Sequence, residues 1–372
     1  MSSRSQDPDQ ELGEVDSEED ISFPPAERRV VTQPVDLSVQ TLSDQWDAGA
    51  LVLPEIQREY VWDNAKASRL AESLLLNIPV PVLYFAETAD AKYEIIDGHQ
   101  RVKSIVRFLS NEFALSGLAV LPEYKGLRFH QLPDREQRFM KMRTLRVIII
   151  SIDSHPSMKF EIFERLNTGA ISLNAQELRN SIYRGPTTEL FHELASSPPF
   201  RELIGTKHVR RRMVDEELIV RFFALRDGLT SYRPSLKRFL NHYMETSKGF
   251  TVAQLALLTE TFSKTVALLS LCLPGAAFRV ADADGRALES SVNRALFDAQ
   301  MLAFSWVSGR MTAVDPAAVR RELSPLYRDE GFRDAIQRAT GDRARTLKRV
   351  RDTCSALRRA GLQVDTSHVL DS

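Results

Sequence analysis

The stretch Tyr93-Glu94-Ile95-Ile96-Asp97-Gly98-His99-Gln100-Arg101 decides the fold of the first half of the chain. Its first four residues form a short run of apolar and β-branched character, which predicts a buried strand. Asp97 and Gly98 interrupt that strand, because glycine is a usual residue of tight turns. Helical spacing begins at His99 and places Val102, Ile105, Val106 and Leu109 on one face. The stretch therefore predicts a strand, a turn and an amphipathic helix in immediate succession.

Alternating strands and helices surround this unit, and helices alone follow it. We predict strands at 51–53, 82–85 and 145–152, and helices at 38–46, 64–77, 157–166, 174–183 and 187–195. From 214 to 364 the spacing of apolar residues is helical throughout. These patterns predict an α+β protein with a mixed α/β domain at 31–185, followed by an all-helical domain at 186–372.

Composition limits the class of protein. The 372 residues contain 49 basic and 50 acidic side chains, which excludes a strongly cationic field over the whole chain. Two cysteines cannot supply a disulfide framework or a CxxC metal site. The first 29 residues hold nine acidic side chains against three arginines and few apolar ones, so we predict a disordered acidic tail at 1–30. Short apolar runs and a polar start lead us to expect a cytoplasmic protein without membrane contact.

The turn at Asp97 has the chemistry of a phosphate site. A helix N-terminus presents N–H groups and a partial positive charge. Arg101 can add a charge-assisted contact to phosphate, and Asp97 can hold Mg²⁺ or orient a water molecule. The alternative is structural: Asp97 caps the helix, Arg101 pairs with Glu94 or solvent, and His99 supports the turn. The local sequence leaves both interpretations open.

Two further turns carry polar groups beyond what packing needs. Gln57 and Arg58 lie in a loop between a predicted strand and a predicted helix, next to aromatic residues that can anchor it. Asn167 and Thr168 begin an Asn-Thr-Gly turn where a helix ends, and such small polar groups can meet a base or a ribose. The structural alternative for Arg58 is a surface arginine on a turn that the aromatic residues anchor. The structural alternative for the Asn-Thr-Gly turn is an ordinary helix C-cap.

The helix predicted at 174–183 begins with a pattern that resembles a capping box. Asn174 is in the N-cap position and Glu177 is three residues later, so helix initiation explains both residues. Arg179 and Asn180 follow on the same helix, and capping leaves them unexplained. They are therefore candidates for binding.

Two basic segments are candidates for contact with DNA. Arg210, Arg211 and Arg212 form a compact run before a helix, and Lys348 and Arg349 lie in a basic helix near the C-terminus. Such groups can neutralise backbone phosphates. The alternative is a solvated helix face.

Taken in order, these stretches resemble the N-terminal domain family of the GmrSD restriction endonucleases, which is similar to the ParB/sulfiredoxin-like fold. The resemblance covers roughly residues 35–183. The matching motifs are Pro54 with Gln57-Arg58-Glu59-Tyr60-Val61-Trp62, Ile78-Pro79-Val80-Pro81, Asp97-Gly98-His99-Gln100-Arg101, Phe163 to Gly169, and Leu173 to Asn180.

The resemblance implies binding of a nucleoside triphosphate and its Mg²⁺-dependent hydrolysis at the Asp97 turn. It implies catalytic roles for Asp97, Gln100 and Arg101, with Asp97 as the Mg²⁺ ligand. The residues that would contact the nucleotide are Gln57, Arg58, Gly98, His99, Asn167, Thr168, Arg179 and Asn180. His99 departs from the glutamine that is commoner in the family at this position.

The resemblance also implies restriction-like defence against foreign or modified DNA. Full members carry a second domain with an HNH nuclease motif, and none of His208, His242 and His368 lies in that context. We therefore expect a stand-alone member that lacks this nuclease domain, with duplex DNA and a separate nuclease subunit as partners. The alternative is a nucleotide-gated module that binds DNA or recruits a partner with little or no hydrolysis. A nuclease that uses Asp97 directly is the least favoured hypothesis.

Overall fold

A computed structural model describes residues 25–53, 60–166, 173–206, 208, 213–282, 284–309, 314–365 and 367. The chain divides into two compact units, of which one is Phe23–Ile182 and the other includes Tyr183–Ser372. The predicted acidic tail at 1–30 lies outside the described residues as far as residue 24. Each unit has its own secondary structure and core.

In its described residues, the first unit combines a sheet with six α-helices. Its strands are β1 (Thr32–Ser38), β2 (Leu51–Val52), β3 (Leu83–Glu87), β4 (Tyr93–Asp97) and β5 (Thr144–Ile150). Its α-helices are α1 (Val39–Asp47), α2 (Asn64–Leu75), α3 (His99–Leu109), α4 (Asp134–Met142), α5 (Pro156–Leu166) and α6 (Ala175–Ile182). Short 3-10 helices lie at Pro25–Arg28, Pro122–Tyr124 and Phe129–Gln131. The mixed sheet and the helices agree with the predicted α+β class, while similarity to the ParB fold stays a prediction.

The central strand of the sheet is β3. The strand order is β1-β5-β3-β4-β2, and β3 pairs in parallel with β5 and antiparallel with β4. The larger core cluster, which includes Leu83, Phe85 and Ile95, packs with apolar residues of α1 to α3. A smaller cluster around Phe160, Phe163 and Leu178 joins α5 and α6 to the sheet. Helices therefore cover both faces of the sheet, and the end of β4 lies between these two layers.

The turn after β4 depends on a glycine. Gly98 has φ +99° and precedes α3, and a Cβ atom added there would lie 2.2 Å from a methyl carbon of Leu83. The pairing of β3 with β4 shifts register between Tyr84 and Phe85, since Phe85 faces Ile95 whereas Tyr84 faces Asp97. Such bulges bend a strand and re-aim its side chains. The turn is therefore pressed against the start of β3, where no side chain larger than hydrogen fits.

The second unit is helical apart from short β pairings. Its α-helices are α7 (Pro186–Ser196), α8 (Pro198–Ile204), α9 (Val214–Gly228), α10 (Leu236–Ser247), α11 (Val252–Cys272), α12 (Arg294–Ser305), α13 (Pro316–Leu323), α14 (Glu330–Gln337) and α15 (Arg343–Arg359), and a 3-10 helix lies at Leu326–Arg328. The strands β6 (Val307–Ser308) and β7 (Gln363–Val364) pair antiparallel. An isolated antiparallel bridge joins Ala281 to Ala287. The prediction of an all-helical domain is corrected by these pairings, which involve too few residues to produce a period-two pattern.

We expect Gly98→Ala to lower the free energy of unfolding more than Gly49→Ala does. Both glycines have positive φ, which costs a residue with a Cβ about 1–2 kcal/mol. At Gly49 nothing lies within 4 Å of the added Cβ, whereas at Gly98 the contact with Leu83 adds about 1–3 kcal/mol of overpacking. Chemical denaturation of both variants measures the difference. Equal losses would show that the turn has room for a methyl group.

Candidate functional site

Asp97 and Arg101 form an ion pair across the Gly98 turn. Arg101 Nη2 lies 2.7 Å from Asp97 Oδ2, and the two side chains are 12% and 40% exposed, respectively. Arg101 Nη1 also donates to the carbonyl oxygens of Pro81 and, at 3.3 Å, Val82. The N-cap of α3 is Gly98, which offers no side-chain acceptor, so Asp97 does not cap the helix. The guanidinium of Arg101 therefore fastens the turn to the segment that leads into β3.

One oxygen of the Asp97 carboxylate remains available. Arg101 holds Oδ2, and among the described residues Oδ1 has no hydrogen-bond partner. An arginine partner fixes the orientation of a carboxylate. Asp97 can therefore present an oxygen of fixed position to a cation or a water molecule. In the described part of the chain, no group of three or more His, Cys, Asp or Glu residues is placed to hold a metal ion.

Gln100 connects the start of α3 to the chain that enters α2. Its Oε1 accepts backbone N–H bonds from Val61 at 3.1 Å and Trp62 at 3.2 Å. Its Nε2 lies 2.7 Å from His99 Nε2. Because Oε1 is the acceptor of two N–H groups, Nε2 must donate, and His99 Nε2 is then the unprotonated ring nitrogen. Gln100 thus positions both His99 and the segment at 60–62.

The aromatic residues that follow Arg58 are held in place. The Tyr60 hydroxyl lies 2.9 Å from Ser104 Oγ, and the Arg107 guanidinium stacks 4.5 Å from the Tyr60 ring centroid. Trp62 packs against the larger core cluster and carries Lys66 over its ring. Tyr60 and Trp62 are therefore held in place directly after the predicted loop, and the anchoring of the loop itself stays a prediction. Gln57 and Arg58 themselves lie outside the described residues, so their predicted contacts stay predictions.

Helix α6 begins with the capping box that the sequence predicts. The Asn174 N–H donates to Glu177 Oε2 at 2.7 Å, and the Glu177 N–H donates to Asn174 Oδ1 at 2.9 Å. Ser181 Oγ donates to Glu94 Oε1 at 3.0 Å, which ties the helix to β4 three residues before Asp97. The structure thereby brings α6 to the strand that carries the turn.

The two binding candidates on α6 share one partner. Arg179 is buried, and its Nη1 donates to Gln176 Oε1 at 3.0 Å. Asn180 Oδ1 accepts from Gln176 Nε2 at 2.8 Å. These bonds give both residues a structural role within the helix. Asn167 and Thr168 lie outside the described residues.

The candidates for DNA contact separate into three groups. Arg210, Arg211 and Arg212 lie outside the described residues. Lys348 Nζ pairs with Asp352 at 2.7 Å on α15. The prediction that Arg349 contacts DNA is wrong, because its side chain is 1% exposed and its Nη2 lies 3.0 Å from Asp298 Oδ2.

The environment of Arg349 explains why it is not on the surface. Asp298 also accepts from Arg221 at 2.7 Å, so two guanidinium groups share one buried carboxylate. Burial lowers the pKa of Arg349, and the charge of Asp298 opposes that shift. Arg349 therefore stabilises the helical core in this fold and does not reach a DNA backbone. A count of basic residues along α15 does not reveal this, because the helical period places Arg349 on the same face as the buried Thr346 and Thr353.

An exposed aromatic side chain on α4 was not predicted from the sequence. Phe139 is 41% exposed, and the guanidinium carbons of Arg135 and Arg143 lie 5.2 and 5.8 Å from its ring centroid. Arg138 is exposed on the same helix, with no partner among the described residues. The sequence of α4 has few apolar residues, which indicates a helix that is mostly exposed. Met140 is its buried residue.

We expect Arg349→Ala to destabilise the second unit far more than Lys348→Ala. Removing one member of a buried ion pair costs about 3–5 kcal/mol, whereas an exposed pair contributes about 0.2–1 kcal/mol. Urea denaturation, followed by helix content, measures both variants against the parent. Similar midpoints for the two variants would contradict the buried position of Arg349.

Comparison with known proteins identifies one family that matches this chain. The family described as GmrSD restriction endonuclease, N-terminal domain, matches residues 39–184. No curated protein matches the chain, and neither does any solved structure. The matched range contains α1 to α6, the Gly98 turn and both segments that Gln100 connects. Residues 39–184 of this chain therefore belong to the GmrSD N-terminal domain family.

Proposed function

We propose that the Gly98 turn binds a nucleoside triphosphate with Mg²⁺ and that the chain hydrolyses it. Membership of the GmrSD N-terminal domain family implies a role in restriction-like defence. The observation that carries the finer proposal is the fixed, half-exposed carboxylate of Asp97 beside a helix start without a side-chain cap. The proposal extends the family role to a chemical step at one turn.

The phosphate groups would lie at the N-terminus of α3. The partial positive charge there attracts anions, and the backbone can approach a ligand closely where the cap is glycine. Mg²⁺ prefers oxygen ligands and in nucleotide sites usually takes one or two carboxylates, phosphate oxygens and water. Asp97 would supply the carboxylate. Bound Mg²⁺ would neutralise charge on the phosphates.

The contacts in the structure support different proposed tasks for the predicted catalytic residues. Arg101 already holds Asp97 and the segment before β3, so we propose that it positions the carboxylate. Gln100 holds the segment at 60–62, which follows Gln57 and Arg58, and so sets one wall of the proposed site. Asp97 would then be the side chain that faces the metal. Gln57, Arg58, Asn167 and Thr168 remain proposed contacts to the nucleotide.

We expect Asp97→Asn to weaken Mg²⁺-dependent nucleotide binding at least about tenfold, or about 1.4 kcal/mol. The substitution keeps the size of the side chain and removes the charge that would hold the metal. Calorimetric binding and phosphate release, with each of the four ribonucleoside triphosphates, measure the two steps separately.

The matched control is Asp90→Asn. Asp90 is also a carboxylate next to a cation, 3.0 Å from Lys92, but it lies in the turn between β3 and β4. We expect this variant to bind and hydrolyse nucleotide as the parent does. Equal behaviour of both variants would remove Asp97 from the site, and absence of binding by the parent would reduce the turn to scaffold.

The α4 surface favours the second candidate function, a nucleotide-gated module that binds DNA. An exposed aromatic ring between two arginines can stack on an unpaired base, and an unpartnered arginine can meet a phosphate. Phe139 and Arg138 provide these two groups on adjacent positions of α4. In this hypothesis the nucleotide site switches the protein, and binding to DNA is the output.

If α4 contacts DNA, Phe139→Ala should reduce affinity for single-stranded more than for duplex oligonucleotide. Each neutralised phosphate contributes about −0.9 to the slope of log affinity against log salt in duplex DNA. Arg138→Ala should therefore make this slope less steep by about 0.9, the contribution of one contact. Fluorescence anisotropy across a salt series measures both effects. Arg165→Ala, on an exposed position of α5, is the control. If the affinity of the parent protein for the oligonucleotides does not change with salt concentration, the hypothesis of DNA contact is contradicted.

A further inference from the structure

Helix α11 exposes a regular seam along its whole length. The exposed residues that form it are Ala253, Leu257, Glu260, Lys264, Ala267 and Leu271. Their spacing alternates between four and three residues, which is the seam spacing of coiled coils. Leu257 is 59% exposed, so the apolar members of the seam are open to solvent. This pattern is unusual for the outer face of a helix that belongs to a folded core.

The opposite side of α11 already packs inside its own unit. Leu258, Phe262, Val266 and Leu269 are buried, and the helix contacts α7, α8, α12 and α13. The seam therefore faces away from the core that holds α11 in place. Among the described helices, α11 is also the one long and apolar enough to cross a membrane, although 39% of its most apolar window is buried.

We propose that a second copy of this chain packs its α11 antiparallel on this seam. A two-fold axis that crosses the seam at the level of residue 262 would place Glu260 opposite Lys264 of the second copy. The same axis would place Leu257 opposite Ala267 of the second copy, and Leu271 opposite Ala253 of the second copy. Each layer then joins a large side chain to a small one, or an acid to a base, and the two-fold repeats every contact.

Self-complementarity of this kind is what a symmetric dimer requires. In an isologous interface the same patch serves both subunits, so each residue must suit the residue that the axis places opposite it. In the single chain Glu260 and Lys264 pair with each other at 2.5 Å, and both remain largely exposed. They can therefore extend to the second copy with little loss. A single helix pair is a small interface, so we expect a weak, concentration-dependent dimer.

A lipid bilayer could also cover an apolar helix face. The seam disfavours insertion of α11 into a bilayer, because Glu260 and Lys264 lie at the middle of the 21-residue helix. Charged side chains at a bilayer centre cost about 2.5–3.5 kcal/mol each on insertion scales. In the dimer the same two charges are matched across the axis. Charge complementarity therefore selects a second copy as the occupant.

Sedimentation of the full chain, with single and double charge reversals, tests the proposal. We expect the parent to dimerise at up to about 100 µM, and Lys264→Glu to weaken the dimer at least about tenfold by opposing two glutamates twice. Glu260→Lys combined with Lys264→Glu restores opposite charges in each layer and should restore the dimer. Arg165→Glu reverses a charge in a similar i,i+4 pair on α5 and should leave the dimer unchanged.

Four outcomes would overturn the proposal. The first is a parent chain that stays monomeric across this range. The second is a dimer that Lys264→Glu does not weaken. The third is a double reversal that remains monomeric while circular dichroism shows it folded. Binding of the monomer to anionic or neutral phospholipid vesicles would indicate the bilayer as occupant and would also overturn it. Each of these readouts is independent of nucleotide binding at the Gly98 turn.

Discussion

The contact between the Gly98 turn and Leu83 is the constraint on which the proposed site depends. Only hydrogen fits between the turn and the first residue of the central strand. The close approach lets Arg101 reach the carbonyl oxygens of Pro81 and Val82 while it holds Asp97. The glycine and the Arg101 guanidinium thus fix the relative positions of three segments: the end of β4, the start of β3 and the first turn of α3. These fixed positions determine the direction of the Asp97 carboxylate.

Local features were predictable from the sequence, whereas pairings between distant segments were not. The bounds of α3 agree with its apolar spacing, and the capping box of Asn174 and Glu177 forms as predicted. Strand β1 was missed because it is an exposed edge strand that contains Pro34 and few apolar residues. The role of Gln100 could not be read either, since its backbone partners lie 38 and 39 residues away.

In the candidate site, a side chain can hold the fold in place or face the proposed ligand. The motif at 97–101 predicts a site at the Gly98 turn, and the contacts of Arg101 and Gln100 show that two of its residues hold neighbouring segments. A motif alone cannot make this distinction, because charge and hydrogen-bonding capacity suit both tasks. Arg349 shows the same limit, since a basic run counts charges without regard to which face of the helix each one occupies. Contacts indicate the role of Arg101 and Gln100, and burial indicates that of Arg349.

Hydrogen–deuterium exchange with and without nucleotide and Mg²⁺ tests the location of the site most directly. Our account predicts slower exchange in peptides from the first turn of α3, because phosphates would accept hydrogen bonds from its N–H groups. It also predicts slower exchange in the segment at 60–62, through the Gln100 bonds to Val61 and Trp62. Protection confined to the second unit, or no protection at the Gly98 turn under conditions where nucleotide binds, would contradict the account.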